Sequence, residues 1–182
     1  DVRRFARRGL FRSLEVGESR GRNVVVFHDE DMGIDLGGIG KGYGVDRAVE
    51  TLRSWGIQQA LVNLGGDLYA LGESQDGDAW KVGVRAPDDL HDLVATLEMK
   101  DRAVATSGDY QRYFEHGGMR YHHLLDPITG APSRASVRSV TVAAESCLAA
   151  DAGATTAFVG SAASARRVFP RVAPGAEVVH TL

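Results

Sequence analysis

The sequence lacks several features that would assign a protein class directly. Its single cysteine, Cys147, excludes an internal disulfide framework and a multi-cysteine metal site, but leaves the redox compartment open. No stretch approaches the roughly 18 consecutive apolar residues of a membrane-spanning helix. The net charge of −3 provides no bulk attraction for nucleic acid, so we expect no nucleic-acid partner. No low-complexity linker interrupts the chain, and residues 1–182 are predicted to form a single domain.

An arginine cluster is the main exception to this balanced charge. The first twelve residues include Arg3, Arg4, Arg7, Arg8 and Arg12. A solvated helix face or a frayed terminus accounts for such a cluster, and a role in binding nucleic acid or a membrane is the alternative.

Glycine is the abundant residue, with 22 in 182 positions against a typical share of about 7%. Such an excess indicates tight turns or close backbone approach to a ligand. The run at 37–44 nevertheless fails both common nucleotide motifs, because Gly42 follows Lys41 where a P-loop needs Ser or Thr, and Tyr43 replaces the last glycine of the dinucleotide fingerprint. A glycine-rich helix start with Lys41 still suits a phosphate group. It also fits a helix entry with the lysine in solvent.

Hydrophobic periodicity predicts an α+β fold with mostly antiparallel sheets and inserted helices. Residues 23–28 and 33–36 are predicted as strands, followed by a helix that starts in the glycine run and stops at Gly56. Residues 93–99 and 102–106 are predicted to pair with each other, and 106–110 to form a polar loop.

Asp151 and Thr155 lie four residues apart in a predicted helix beginning near Cys147, so both project from one face. Carboxylate and hydroxyl oxygens are hard ligands of the kind that Mg²⁺ accepts. A structural role also fits the pair, with the aspartate favoured by the helix dipole and the threonine bonded to a backbone carbonyl.

Two adjacent histidines, His122 and His123, lie in a predicted strand and must face opposite sides. That arrangement makes a poor zinc pair, whereas one histidine near neutral pH is suited to activate a hydroxyl as a general base. A partly buried, hydrogen-bonded histidine is the alternative. The polar segment Ser107, Gly108, Asp109 and Tyr110 fits either a cofactor contact or an ordinary hairpin loop.

Five segments in chain order resemble the ApbE family of FAD-dependent protein FMN transferases. They are IDLGGIGKGYGVD (34–46), ALVNLGGDLYALG (60–72), VATSGDYQRYF (104–114), RYHHLLDPITGAP (120–132) and SVTVAAESCLAADAGATTA (139–157). The resemblance implies an ApbE-like, T-fold-like α+β domain. It also implies Mg²⁺-dependent transfer of FMN from FAD to a threonine or serine of a target protein, with release of AMP.

Residue roles also follow from the resemblance. Asp151, Thr155 and the backbone carbonyl of Gly40, where the family usually has alanine, would bind Mg²⁺. His123 would take the proton of the acceptor hydroxyl. Further residues would contact FAD: Lys41, Gly40, Ser107, Gly108, Asp109 and Tyr110. Some relatives hydrolyse FAD to FMN and AMP instead, and a non-catalytic FAD-binding fragment is a third reading.

The resemblance has two further implications. Family members usually have a long segment before the first matching block, where this chain has about 33 residues, so we expect the N-terminal part of the family domain to be missing. The expected acceptor is a subunit of a membrane redox complex. The expected location is the extracytoplasmic side of the bacterial inner membrane, with an anchor in the full-length protein.

Overall fold

The computed structural model describes residues 11–89, 91–134 and 136–182. The predictions for Arg3, Arg4, Arg7 and Arg8 lie outside these residues. A short 3₁₀ helix, Phe11–Ser13, precedes eleven strands and three helices among the described residues. The strands are β1 Leu14–Ser19, β2 Arg22–Phe27, β3 Ala60–Leu64, β4 Asp67–Leu71, β5 Trp80–Arg85, β6 Leu93–Met99, β7 Arg102–Gly108, β8 Tyr113–His116, β9 Met119–His122, β10 Ser139–Ala144 and β11 Glu177–Thr181. The helices are α1 Gly40–Ser54, α2 Cys147–Gly160 and α3 Ala162–Val172.

A five-stranded antiparallel sheet in the order β11-β10-β7-β4-β3 forms the centre of the fold. Three two-stranded antiparallel hairpins accompany it: β1–β2, β5–β6 and β8–β9. The prediction of an α+β fold with mostly antiparallel sheets and inserted helices is confirmed. No helix in the described part of the chain is long and apolar enough to cross a membrane.

The two faces of the central sheet are covered by different elements. Alternating side chains such as Tyr69, Ala105 and Val142 pack into one core with α1, α2 and α3. The opposite side chains, including Leu68 and Val104, pack against the β5–β6 hairpin. The sheet therefore has a helix-covered face and a hairpin-covered face. Successive side chains along a strand point alternately to one face and to the other.

Small residues bring α2 close to the sheet. Ala150, Ala154 and Ala157 are fully buried, and a Cβ added at Gly153 would come within 3.1 Å of Val142 Cγ1. The backbone of α2 is consequently held against the core, so that side chains on its remaining face have well-defined positions.

Three local predictions were wrong. Residues 33–36 form no strand and lead into a turn at 37–39, where Asp35 Oδ1 accepts a hydrogen bond from Gly37 N at 2.6 Å before α1 begins. Strands β6 and β7 do not pair with each other: both edges of β7 are occupied by β4 and β10, and β6 pairs with β5. The predicted loop at 106–110 is also shorter, since β7 continues through Gly108.

Candidate active site

The glycine-rich start of α1 lies directly against α2. Gly42 N donates a hydrogen bond to Asp151 Oδ2 at 3.0 Å. A Cβ on Gly42 would overlap the carbonyl of Cys147, so only glycine fits there without a shift of one helix. A Cβ on Gly38 would lie 3.5 Å from Thr155 Oγ1. The absence of a side chain at Gly42 therefore lets the α1 backbone approach Asp151, and Gly38, just before α1, lies on the Thr155 side.

Asp46, in the second turn of α1, fixes the start of α2. Its Oδ1 accepts a hydrogen bond from Cys147 N at 2.7 Å, and its Oδ2 accepts one from Leu148 N at 2.9 Å. The N-cap residue Ser146 accepts a third, from Ala149 N at 3.2 Å. These bonds satisfy donors that a helix N-terminus leaves free, and they set the position of α2 relative to α1. The sequence patterns did not predict this role of Asp46.

Asp151 and Thr155 project from one face of α2, as predicted, and that face meets the start of α1. Asp151 is 3% exposed, and Thr155 Oγ1 lies 3.2 Å from Ser107 Oγ at the end of β7. Gly40 lies between Gly38, where an added Cβ would be 3.5 Å from Thr155 Oγ1, and Gly42, which bonds to Asp151. The structure therefore brings Gly40, Ser107, Asp151 and Thr155 into one region on the helix-covered face.

Lys41 joins this region through two carboxylates. Its Nζ pairs closely with Asp67 Oδ2 and lies 3.6 Å from Asp151 Oδ1. Asp67 begins β4 and is 1% exposed. Burial raises the pKa of Asp67 to about 7, with a further increase from the neighbouring Asp151 charge and an opposing decrease from Lys41. Asp67 lies in the 60–72 block of the sequence, and its position after Gly65 and Gly66 was the available signal.

We define the oxygen cluster as Asp67, Ser107, Asp151 and Thr155, with Lys41 as its cation. Among the described residues no group of three or more His, Cys, Asp or Glu side chains is arranged to hold a metal. The predicted Mg²⁺ ligands are one carboxylate, one hydroxyl and one backbone carbonyl, so they differ from such a cluster of His, Cys, Asp or Glu side chains. These are hard oxygen donors, and Asp151 Oδ1 is turned toward Lys41 while Oδ2 is held by Gly42 N. The donors fit Mg²⁺.

The predicted FAD-contacting segment is divided between two surroundings. Ser107 belongs to the oxygen cluster. Asp109 Oδ1 instead accepts a hydrogen bond from Arg138 Nε at 2.8 Å and lies 3.6 Å from Arg120 Nη1. Gly108 accommodates the ring of Tyr110, which would overlap a Cβ at that position. Burial raises the pKa of the half-buried Tyr110 hydroxyl, with the nearby Arg85 charge opposing the change. Asp109 and Tyr110 therefore do not join the oxygen cluster.

A cavity of about 590 Å³ lies between the β5–β6 hairpin and the central sheet. Its polar lining residues are Asn63, Lys81, Arg85, Thr106, Tyr110, Gln111 and Thr141. Thr106 Oγ1 and Thr141 Oγ1 lie 2.9 Å apart on neighbouring strands. The cavity occupies the hairpin-covered face, opposite the oxygen cluster, and offers two cations and several neutral donors.

The two histidines face opposite sides, as predicted, and have different surroundings. His122 is buried: its Nε2 donates to Ser133 O at 3.0 Å, its Nδ1 accepts from Leu124 N at 3.3 Å, and its ring lies edge-on to Phe158. These backbone partners fix the tautomer, because a carbonyl only accepts and an N–H only donates. His123 is exposed, with Nδ1 3.4 Å from Arg112 O, and no hydrogen bond or ion pair of the described residues joins it to the oxygen cluster.

A metal-compatible oxygen cluster with a lysine, held where a glycine-rich helix start meets a second helix, is typical of proteins that bind phosphorylated ligands. Residues 3–179 match the ApbE family. The FAD:protein FMN transferase of Vibrio cholerae is 42% identical over 127 residues, which are 69% of this chain and 38% of that protein. The FAD:protein FMN transferase of Treponema pallidum is 40% identical over 157 residues, 80% of this chain and 43% of that protein.

Solved structures agree with the sequence matches. The crystal structure of the ApbE protein from Thermotoga maritima has a TM-score of 0.82 and 36% identity, covering 94% of this chain and 56% of that one. The flavin transferase ApbE from Vibrio cholerae has a TM-score of 0.75 and 33% identity, covering 87% and 49% respectively. The chain belongs to the ApbE family, which confirms the resemblance. It spans about half the length, or less, of the curated relatives it matches.

Proposed function

We propose that this chain carries the cation- and phosphate-binding portion of an FAD:protein FMN transferase and forms one domain over residues 1–182. The observation that carries the proposal is the oxygen cluster with Lys41 at the start of α1. Family membership supports FAD as the substrate and a protein as the acceptor. The finer assignments, namely Mg²⁺ and a threonine or serine acceptor, are supported by the donor chemistry of Asp151 and Thr155 and by the sequence blocks that contain them.

In the proposed reaction the hydroxyl oxygen of the acceptor attacks the phosphorus of the FMN half of FAD. A new phosphoester bond forms, the bond from that phosphorus to the bridging oxygen breaks, and AMP leaves with this oxygen. His123 takes the proton of the hydroxyl, a role that needs an accessible imidazole. The side chain of His123 is exposed in this structure, which leaves its ring open to an acceptor chain.

Charge neutralisation is the second requirement, because the pyrophosphate is strongly anionic. Asp151, Thr155 and the Gly40 carbonyl would hold Mg²⁺, which when bound would neutralise phosphate oxygens. Lys41 would add a positive charge on the same side of the molecule. Ser107 and Gly40 would contact the nucleotide near this cluster, while Asp109 and Tyr110 would contact it from the other end of the 107–110 segment.

The test is flavinylation of an acceptor peptide. The chain is incubated with FAD, MgCl₂ and a peptide containing the target threonine, and the peptide mass is measured. We expect FMN on the threonine and equimolar AMP, and loss of both with Asp151→Asn. A peptide with valine in place of the threonine is the matched control. If the unsubstituted peptide gains no FMN while FAD remains intact, a non-catalytic FAD-binding fragment replaces the proposal.

Hydrolysis of FAD to FMN and AMP is a second candidate, favoured by one observation. The oxygen cluster and Lys41 are linked by direct contacts, whereas His123 makes no described contact with them. Water in place of the acceptor hydroxyl would give this reaction. Free FMN and AMP in the absence of peptide, unaffected by His123→Ala, would favour hydrolysis over transfer.

The acceptor and the location are proposed from the family resemblance. We propose a subunit of a membrane redox complex as acceptor, on the extracytoplasmic side of the bacterial inner membrane. Mass spectrometry of flavinylated peptides from membranes, compared between cells with and without the gene, would identify the acceptor. Flavinylation confined to cytoplasmic proteins would contradict this assignment.

A further inference from the structure

Two buried carboxylates share one lysine in the oxygen cluster. Asp67 and Asp151 are 1% and 3% exposed, and among the described residues Lys41 is the basic side chain paired with them. The side chain of Lys41 is 41% exposed and reaches the carboxylates from the solvent side. Buried carboxylates need a compensating cation, and here the protein supplies it from α1.

We infer that Lys41 is an internal counter-cation, which the carboxylates of Asp67 and Asp151 exchange for a divalent cation when one binds. The inference rests on the proposed function, since it concerns the same cation site. It adds two assignments to that function: Asp67 is a positioning residue for Lys41, and Lys41 competes with the metal. Neither assignment follows from the ligand set that the sequence predicts.

The geometry of Asp151 is the first argument. Its Oδ2 is held by Gly42 N at 3.0 Å, and Lys41 Nζ lies 3.6 Å from the other oxygen, Oδ1. A cation bound at Oδ1 would therefore stand close to the ammonium group. Like charges at such a separation repel, and the ammonium, which reaches the carboxylates from the solvent side, can relieve this repulsion by moving away.

The mobility of Lys41 is the second argument. A lysine has a long flexible side chain, and its ammonium is readily hydrated, so a partly exposed lysine can move into solvent without breaking the packing of the core. Asp46 and Gly42 hold the backbone of α1 against α2 throughout, so this exchange requires no movement of either helix. Asp67 would retain the ammonium when the metal is absent.

Lysine labelling on the unaltered chain tests the inference. The sequence contains only Lys41, Lys81 and Lys100, so each can be followed by mass spectrometry after limited acetylation. We expect saturating Mg²⁺ without nucleotide to raise the acetylation rate of Lys41 about threefold relative to Lys81, because the ammonium leaves its carboxylate partners. Calorimetry under the same conditions reports whether Mg²⁺ binds.

If the ratio of the Lys41 to the Lys81 acetylation rate stays constant while Mg²⁺ binds, the inference is overturned and the proposed function is left intact. If Mg²⁺ alone does not bind, the inference fails as well. The peptide flavinylation assay, which does not depend on this result, then decides separately on the proposed function.

Two variants provide the second measurement. Lys41→Met removes the competing charge at similar length, and we expect Mg²⁺ to bind roughly tenfold more tightly, as removal of one nearby charge predicts. Lys81→Met, on the hairpin-covered face, is the matched control and should leave the Kd unchanged. Unchanged or weaker binding by folded Lys41→Met would contradict the exchange. If Lys41→Met does not fold, the labelling ratio of the unaltered chain decides.

Discussion

The α1–α2 contact and the β8–β9 hairpin place their functional candidates in opposite environments. In the helix pair, Asp151 is buried and bonded to a backbone N–H of the other helix. In the hairpin, His123 follows β9 and is exposed, while its neighbour His122 is buried against α2. The difference suits two tasks, because a cation site requires fixed donors, whereas a base that serves a protein acceptor must be reachable from solvent.

The helix pair is expected to be the region least tolerant of substitution. Gly42→Ala places a methyl group on the Cys147 carbonyl, and separation of α1 from α2 should destabilise the protein by about 3 kcal/mol, at the upper end for overpacking. Chemical denaturation measures this loss. Gly40→Ala is the control: its Cβ would lie 3.8 Å from Leu36 Cβ, and stability should change little. Equal losses of stability in Gly42→Ala and Gly40→Ala would show that the close contact at Gly42 is not what limits substitution.

The hairpin should be less sensitive, and its sensitivity should be confined to His122. His122→Ala removes the hydrogen bonds with Ser133 O and Leu124 N together with the ring contact to Phe158, and we expect a loss of about 2 kcal/mol. His116→Ala, at an exposed position in β8, is the matched control. Thermal unfolding monitored by circular dichroism gives both values, and a neutral His122→Ala would show that the hairpin is not anchored through this ring.

Asp67, which lies near the helix pair, should make the free energy of unfolding depend on pH. Its pKa is raised from 3.8 to about 7 in the folded state, so between these values the folded chain holds a proton that the unfolded chain has lost. Stability contributed by this group is therefore full below about pH 4 and falls as pH rises toward 7, by at most about 1.4 kcal/mol per pH unit.

Asp67→Asn should flatten this part of the curve of unfolding free energy against pH. Asp76→Asn, in an exposed loop, should leave the curve unchanged. A curve for Asp67→Asn that is parallel to that of the unaltered chain between pH 4 and 7 would contradict the assignment.

The smallest stability effect is expected at His123. His123→Ala removes an exposed ring whose described contact is a weak one with Arg112 O, so stability should change by less than about 0.5 kcal/mol. Flavin transfer to the peptide should nevertheless fall by about 10²-fold or more, as for loss of a general base. A large loss of stability in His123→Ala would show that the ring supports the fold. Flavin transfer at the original rate would show that His123 is not the general base.

Much of the site follows from local sequence rules. Asp151 and Thr155 share a face because of their spacing in a helix, and the two histidines face apart because they are adjacent at the end of an extended strand. Thr106–Gly108 was the harder case, because polar residues predict a loop, while pairing with β10 keeps this stretch in the central sheet. The separation of β6 from β7 has the same origin, since strand pairing depends on which edges other strands already occupy.

The sequence by itself determined the family, the α+β class, the start of α1 at the glycine run and the common face of Asp151 and Thr155, because these depend on residue type and spacing within one segment. Only the tertiary structure decided that Asp67 pairs with Lys41, that Asp46 caps α2, and that Ser107 and Asp109 enter different surroundings. Those contacts join residues 26 to 101 positions apart. Their formation depends on how helices and strands pack, which no short sequence window contains.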